Sequence, residues 1–413
     1  MGAGAAGLIS AVFRARSGSR TIVLEQNDRA GAKLSLTGGG RCNILPSSLD
    51  ASRFVTSSSR NSLARILRRW PLDEAVRFFS EDAGIALQPE TATGKIFASA
   101  GGAAGVTRRL VRMAEDAGAS FRYSSKVAGL EPLSAGWAVR LAGGGTIRAN
   151  RVIVATGGRS WPGTGSGGWG FRIADRLGHK VRPVYPALVP LRSSDPAFDG
   201  LSGIVAGAVI SSVFEGRPFR VEGPLLFTHR GFSGPAVMDA SHAVTGVAEG
   251  GTPGVLSICW GGLDEHGWES ALLGGKGRVL GLLEKSLPSR LASVLLAKAG
   301  LEPSRSFADL DRGRRRALLN ALVRFPLPVS GHCGWDEAEV TGGGVALEEV
   351  RPDTLESRLR PGLHFAGEVL DAFGPVGGYN LYWAWLSGFI PARAGRSHGR
   401  KSVELQSPGR GRI

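Results

Sequence analysis

The first residues able to do chemistry stand at the start of the chain, where Gly2-Ala3-Gly4-Ala5-Ala6-Gly7 has the spacing G-x-G-x-x-G. Glycines at these places allow a tight turn and let a pyrophosphate approach a helix N-terminus, whose unpaired N–H groups face the anion. Leu8 to Arg16 supplies the helix, Thr21 to Leu24 reads as the next strand, and Glu25 follows at close to the ~20-residue spacing of the acid that bonds a ribose hydroxyl. Helix and acid in the right order turn a weak fingerprint into a nucleotide site. A second match, Gly163, Gly165 and Gly168, follows Trp161-Pro162 instead of a strand and reads as a loop entering a helix over 170–177. One dedicated nucleotide domain is expected, and a nicotinamide dinucleotide would have to visit without its own Rossmann unit.

Three more stretches could face the same ligand. Arg29 to Asn43 is dense in small residues and backbone donors and carries the cations Lys33 and Arg41 besides Arg29, which suits wrapping an anionic, planar cofactor. The buried strand Arg151 to Ala155 runs into Thr156-Gly157-Gly158, where glycines let the backbone approach a ligand. Leu363 to Ala366 reads as a strand ending in Gly367-Glu368, a carboxylate for a sugar or pyrophosphate. Beyond it, Gly377-Gly378 opens an apolar helix over 381–389, whose first amides can stabilise negative charge on a reduced ring.

Candidate proton donors are few. His229, in Thr-His-Arg-Gly at the end of a predicted strand, could donate a proton or bind an anionic substrate; the plainer reading is a turn histidine bonded to backbone. Tyr379 and Asn380 read as cofactor contacts, with proton donation by Tyr379 as the lesser alternative. Cys42 has no partner cysteine nearby and reads as a small residue packed near the cofactor rather than a redox thiol. Trp383 and Trp385 read as helix packing.

The elements that position these residues belong to a globular protein of 413 residues, 42% hydrophobic, 21% charged and rich in glycine (62), long enough for more than one domain. Apolar stretches break well before the ~18–20 residues of a membrane span, and the opening residues do not form a signal peptide, so a soluble, cytoplasmic protein is expected. Three cysteines without a C-x-x-C pair encode neither a disulfide framework nor a zinc site. The net charge of +15 would suit a polyanion, but much of it lies in Arg312 to Arg316 and the tail beyond Arg393, so solvated surface is favoured over a nucleic-acid partner. Helices are expected over 63–79 and 105–117, short strands including 204–214, 219–221 and 225–227, and helices again over 278–287, 290–299 and 307–323. The apolar strand that should precede Gly2 is absent, which would leave its sheet neighbours unpaired. An upstream start, with a valine codon read as initiator, is therefore expected.

Taken together, these segments resemble the bacterial family of NAD(P)/FAD-dependent oxidoreductases with a β-barrel and a helical insert, which includes reductases of conjugated steroid enones and proteins called aminoacetone oxidases. The matching residues include Lys33 to Asn43, Gly94 to Phe97, Ala155 to Gly158, Leu226 to Pro235, Val340 to Val345, and Phe365 to Asp371 through Gly377 to Leu381. Ala98, where the family often has Pro, and Tyr382, where Gln is common, are local departures. The resemblance implies an α/β fold: a split FAD-binding Rossmann-type domain over 1–186 and 340–395, with a mixed or parallel sheet. It implies an inserted antiparallel β-barrel over 187–262 and 325–339, a helical insert over 263–324, and a basic tail over 396–413. It implies FAD, held by Gly2, Gly4, Ala5, Ala6, Gly7, Glu25, Gln26, Lys33, Gly39, Gly40, Arg41, Cys42, Asn43 and Val127. Ala155, Thr156, Gly157, Gly158, Gly367, Glu368, Gly377, Gly378, Tyr379, Asn380 and Leu381 complete the set. The activity implied is hydride transfer between flavin and a small organic substrate, including C=C reduction with NAD(P)H as a transient donor. A flavoprotein that modifies tRNA and a non-catalytic flavin holder are the alternatives.

Overall fold

The computed structural model describes residues 1–247 and 251–393; the basic tail expected over 396–413 lies outside the described residues. Two parallel strand pairs flank the glycine fingerprint: Ile22–Leu24 with Ser120–Arg122, and Val152–Val154 with Leu363–Phe365. Met1 and Gly2 join them. Met1 N donates to Ile153 O at 2.8 Å, Ala155 N to Met1 O at 2.9 Å, and Gly2 N to Leu24 O at 2.8 Å. The backbone groups beside the fingerprint are thus satisfied on both sides, at the strand end where the glycines turn.

The helix Ala5–Arg16 buries Leu8, Ile9 and Val12 and packs against the long C-terminal helix Tyr379–Arg393. Their contact is close because Gly388 lacks a side chain: a Cβ there would lie 2.3 Å from Ala6 O. Ser10 Oγ donates to Gly388 O at 2.8 Å across the seam. The two ends of the chain therefore share one apolar core, which also takes in Trp70, Phe79, Trp383 and Trp385. Two small antiparallel sheets complete this part: Asn43–Pro46, Lys95–Ala98 and Leu87–Glu90, and Val127–Pro132, Trp137–Leu141 and Thr146–Ala149.

Two expectations fail for stated reasons. The single helix predicted over 63–79 is broken into Arg60–Leu67 and Leu72–Arg77 followed by a π-turn over Phe78–Asp82, because Pro71 cannot continue a helix through its own position. The two short strands predicted over 219–221 and 225–227 are one strand, Arg217–Thr228, paired along its length with Val205–Phe214. Pro218 and Pro224 are tolerated because at both places the strand has no neighbour on its other side.

The insert is a seven-stranded antiparallel sheet whose edge strands are Phe325–Pro326 and Gly331–His332. Laid flat, seven strands would span ~29 Å at ~4.8 Å spacing. Residues 327–330 bridge at most roughly 18 Å between the two edges, so the sheet must curl upon itself. The helices Glu265–Leu273, Val279–Leu283, Ser289–Lys298 and Arg312–Val323 cover it, and sheet residues such as Ile210 and Trp260 share one core with Leu283, Leu295 and Leu322. The chain leaves for the insert along Val181–Ala187 and returns along Val340–Val345, and these two strands pair with each other. Gly342 makes that pairing possible, since a Cβ there would sit 2.2 Å from the ring of Tyr185.

Candidate active site

Two cavities meet at the fingerprint. The smaller, about 180 Å³, is lined by Gly2, Gly4, Glu25, Gln26, Lys33, Val127, Ala155 and Thr156, all expected to face the nucleotide. Glu25 is buried; one carboxylate oxygen accepts from Ala3 N at 2.7 Å and the other from Asn27 N at 2.9 Å, which fixes the acid at the mouth of the turn. Gly2 and Gly7 answer to packing: a Cβ on Gly7 would meet Gly2 O at 1.9 Å and one on Gly2 would meet Ala155 O at 2.3 Å. Gly4 is different. No atom lies within 4 Å of its would-be Cβ, it lines both cavities, and the helix it opens has no side-chain cap. A bare helix N-terminus over an open cradle is what a pyrophosphate needs. Thr156 Oγ1, buried without a partner among the described residues, is a further polar atom on this wall.

The larger cavity, about 500 Å³, holds Ala5, Ala6, Gly39, Arg41, Asn43, Gly157, Gly367, Gly377, Gly378, Asn380 and Leu381. Gly38 and Gly39, which line this space, have φ of 59° and 64°, a conformation that costs L side chains energy. With its amide oriented to suit both neighbours, Asn43 accepts from Gly378 N at 2.9 Å and donates to Leu45 O at 3.2 Å. A Cβ on Gly378 would strike Leu45 at 2.5 Å. Asn380 ties back the turn before it, accepting from Gly374 N and donating to Gly374 O, both at 2.9 Å. The glycine loop and the C-terminal helix thus form one rigid wall for a planar ring.

A charged knot joins the cavities. Lys33 Nζ lies 2.6 Å from Glu368 Oε2 and donates to Ser160 Oγ at 2.6 Å. Glu368 Oε1 accepts from Ser160 Oγ at 2.5 Å and from Thr341 N and Oγ1 at 2.9 and 2.8 Å. Gly158 does not line either cavity; a Cβ there would lie 2.2 Å from Thr341 Oγ1, so its part is to admit this knot.

Other candidates stand apart from the crevice. His229 is exposed at the turn between Arg217–Thr228 and Gly231–Ser233 and lines neither cavity. The Tyr379 side chain is buried against Phe54, with its hydroxyl accepting from Asp50 N at 3.3 Å, and it too is absent from both linings. Cys42 is fully buried, and burial pushes its thiol up to about 11. Gly40 turns toward a shallow neighbouring hollow that Arg41 shares. Arg41 itself is paired with Glu90 at 3.4 Å and stacks over Phe97 at 4.0 Å.

Some lining residues were not singled out. The loop Thr164 to Gly167, set aside because no strand precedes it, borders the nucleotide end, where Gln26 donates to Gly165 O and Asn27 to Thr164 O at 3.0 Å. Trp383, expected to be helix packing, also borders the larger cavity, whereas Trp385 donates to Ile44 O at 2.9 Å within the core. Glu339, Phe373 and Val376 line the wide end, and no sequence pattern marked them. Behind that end, Asp239 of the insert accepts from Val376 N at 2.6 Å. Burial raises the Asp239 carboxyl to about 7.

Residues 1–394 match the family described as HI0933-like protein Rossmann domain. The chain is 32% identical over 404 residues to the ribosomal RNA dihydrouridine synthase of Escherichia coli (strain K12), covering 95% of this chain and 96% of that protein. It is 31% identical over 408 residues to the 3-dehydro-bile acid delta(4,6)-reductase of Clostridium scindens, covering 95% and 97%. Among solved structures, the 3-ketosteroid-delta4-(5alpha)-dehydrogenase from Rhodococcus jostii RHA1 aligns with a TM-score of 0.47 at 15% identity over 95% of each chain.

Proposed function

The chain belongs to the HI0933-like Rossmann family and is an FAD-dependent oxidoreductase; from that premise we propose that it reduces a carbon–carbon double bond conjugated to a carbonyl in a planar ring. One observation carries the reading. Besides the glycine walls, the larger cavity is lined by the apolar side chains of Phe97, Phe373 and Val376, together with those of Lys95 and Glu339. That space suits an unsaturated ring with one polar edge. The names of the two relatives both denote saturation of a ring double bond.

FAD, when bound and reduced, supplies the hydride. The amides that open the helix at Gly4 receive the pyrophosphate, and Glu25 receives the ribose. The Thr37 to Asn43 loop and Gly377 to Leu381 would hold the cofactor's ring, and the first turn of the helix Tyr379–Arg393 would favour negative charge there. Lys33 and Glu368 hold the middle of the cofactor by fixing the loop from residue 158 against the strand at Thr341. NADH or NADPH would supply the electrons that reduce the cofactor.

A second ring is compatible with the net charge of +15, although that charge alone does not require a nucleic acid. A uracil base contains the same C=C–C=O unit as a steroid enone, and its phosphate chain would meet the arginine-rich surface. The test is anaerobic reduction of the FAD-loaded protein by NADH or NADPH, followed by a 4-en-3-one steroid or protein-free ribosomal RNA. Reoxidation of the cofactor with gain of two hydrogens by either acceptor supports the reading. A reduced cofactor that neither acceptor reoxidises removes it.

A further inference from the structure

A double bond saturated by hydride at one carbon needs a proton at the other, and the side chain that delivers it must reach the wide end of the larger cavity. Five ionisable side chains line that cavity: Lys33, Arg41, Lys95, Glu339 and Glu368. Three are committed: Lys33 and Glu368 to each other and to the Ser160–Thr341 network, and Arg41 to Glu90. Of the other two, only Glu339 is an acid. Among the described residues its carboxyl makes no hydrogen bond and no ion pair, while its backbone is pinned by Glu339 N donating to Leu188 O at 3.1 Å. It stands immediately before Val340–Val345, two residues from the Thr341 that holds Glu368, and extended spacing keeps both on one side.

Resting on the reading above, we propose that Glu339 is the proton donor to the substrate's α carbon. The step balances: hydride from the reduced cofactor forms a C–H bond at the β carbon, the Glu339 proton forms one at the α carbon, and the π bond is lost. The substrate gains two electrons, the cofactor is oxidised, and the Glu339 carboxylate regains its proton from water. The surroundings suit the role. Glu339 is exposed where it borders the cavity, and the protein packed around it raises its carboxyl above the usual range, tempered by Lys33 and Lys95. Charge on Glu339 in turn helps to raise the carboxyl of Asp239, whose shift is mainly due to burial. A carboxyl whose proton is held more tightly than usual is thereby placed on the cavity wall.

The experiment compares wild type with Glu339→Gln and Glu339→Asp, each loaded with FAD and reduced by NADPH, using the 4-en-3-one steroid and ribosomal RNA as acceptors in D2O. Expected results are unchanged FAD loading and reduction, a loss of about 100-fold in reoxidation by the acceptor for Glu339→Gln, and partial recovery for Glu339→Asp. Wild-type product carries solvent deuterium on a single face of the α carbon, and Glu339→Gln product carries it on both. The oxidised holoprotein shows a pH-dependent absorbance change that Glu339→Gln lacks. Wild-type turnover falls as pH rises through the carboxyl's titration, a limb also missing from Glu339→Gln. If wild type reduces an acceptor while Glu339→Gln does so at the same rate, pH profile and facial selectivity, the assignment is overturned and the C=C reading stands. If wild type reduces neither acceptor, both fall.

Discussion

At the scale of single residues, three glycines of one motif do different work. Gly7 and Gly2 are packed against backbone, so Gly7→Ala places a methyl 1.9 Å from Gly2 O and forces the turn apart. Overpacking of this kind typically costs about 1–3 kcal/mol, and the melting temperature of the apoprotein falls. Gly4 has open space before it. Gly4→Val therefore leaves the apoprotein melt nearly unchanged and weakens FAD by tenfold or more, about 1.4 kcal/mol, as read by flavin fluorescence titration. Equal effects of the two substitutions on folding would refute this division. The motif was legible from spacing alone, but nothing in the spacing told the packing glycines from the ligand glycine. That distinction depends on Ala155, a residue from a distant strand.

At the scale of elements, the segment Gly374 to Gly378 is held from outside its own domain by Asp239 on the helix Pro235–Ala240. The Asp239 carboxyl titrates near 7 in the fold against 3.8 ordinarily, because burial disfavours its charge. Between those values the folded state keeps a proton that the unfolded chain releases, so stability falls as pH rises from about 4 to 7. His242, one turn on and enclosed by Phe214, Phe219 and Phe373, works in the opposite sense: burial lowers it to about 4, and stability is lost as pH falls below the ordinary 6.5. Asp239→Asn retains an acceptor for Val376 N and removes the first effect. In wild type the two effects largely cancel between pH 5 and pH 8, whereas in this variant His242 acts unopposed, so thermal melts at the two pH values are expected to differ more, with pH 8 the more stable, at roughly 1.4 kcal/mol per pH unit of displacement. An unchanged difference would show that Asp239 is ionised in the fold. Elements near the cofactor were readable because their glycines and acids are local signals. The break at Pro71 was a local signal outweighed by the apolar periodicity on either side of it, and the long strand Arg217–Thr228 depends on a neighbouring strand. Glu339 escaped notice for the same reason, as its meaning comes from the cavity it borders.

At the scale of the whole molecule, the chain's two ends close on a single crevice, and the insert stands over its wide end. The charge of +15 belongs to this scale too. If RNA is the substrate, binding of ribosomal RNA weakens by about tenfold between 50 and 200 mM salt for as few as two phosphate contacts. Salt-independent binding, measured by filter retention, would point to a neutral ring substrate. The overall plan was visible in the order of motifs along the chain. The curl of the insert sheet was not, because it follows from which strands end up at the edges.

The side-by-side departure and return strands have a broader consequence. Topologically, everything from 188 to 339 is the loop of one wide hairpin rooted at Val181–Ala187 and Val340–Val345. Such a cassette can be exchanged between relatives as one piece provided that its acid at 239 still meets Val376 N, so what the crevice admits can diverge while the redox machinery is inherited. The last residue of the cassette is Glu339, and a graft that cuts on either side of it decides whether the acid travels with the visitor or stays with the host.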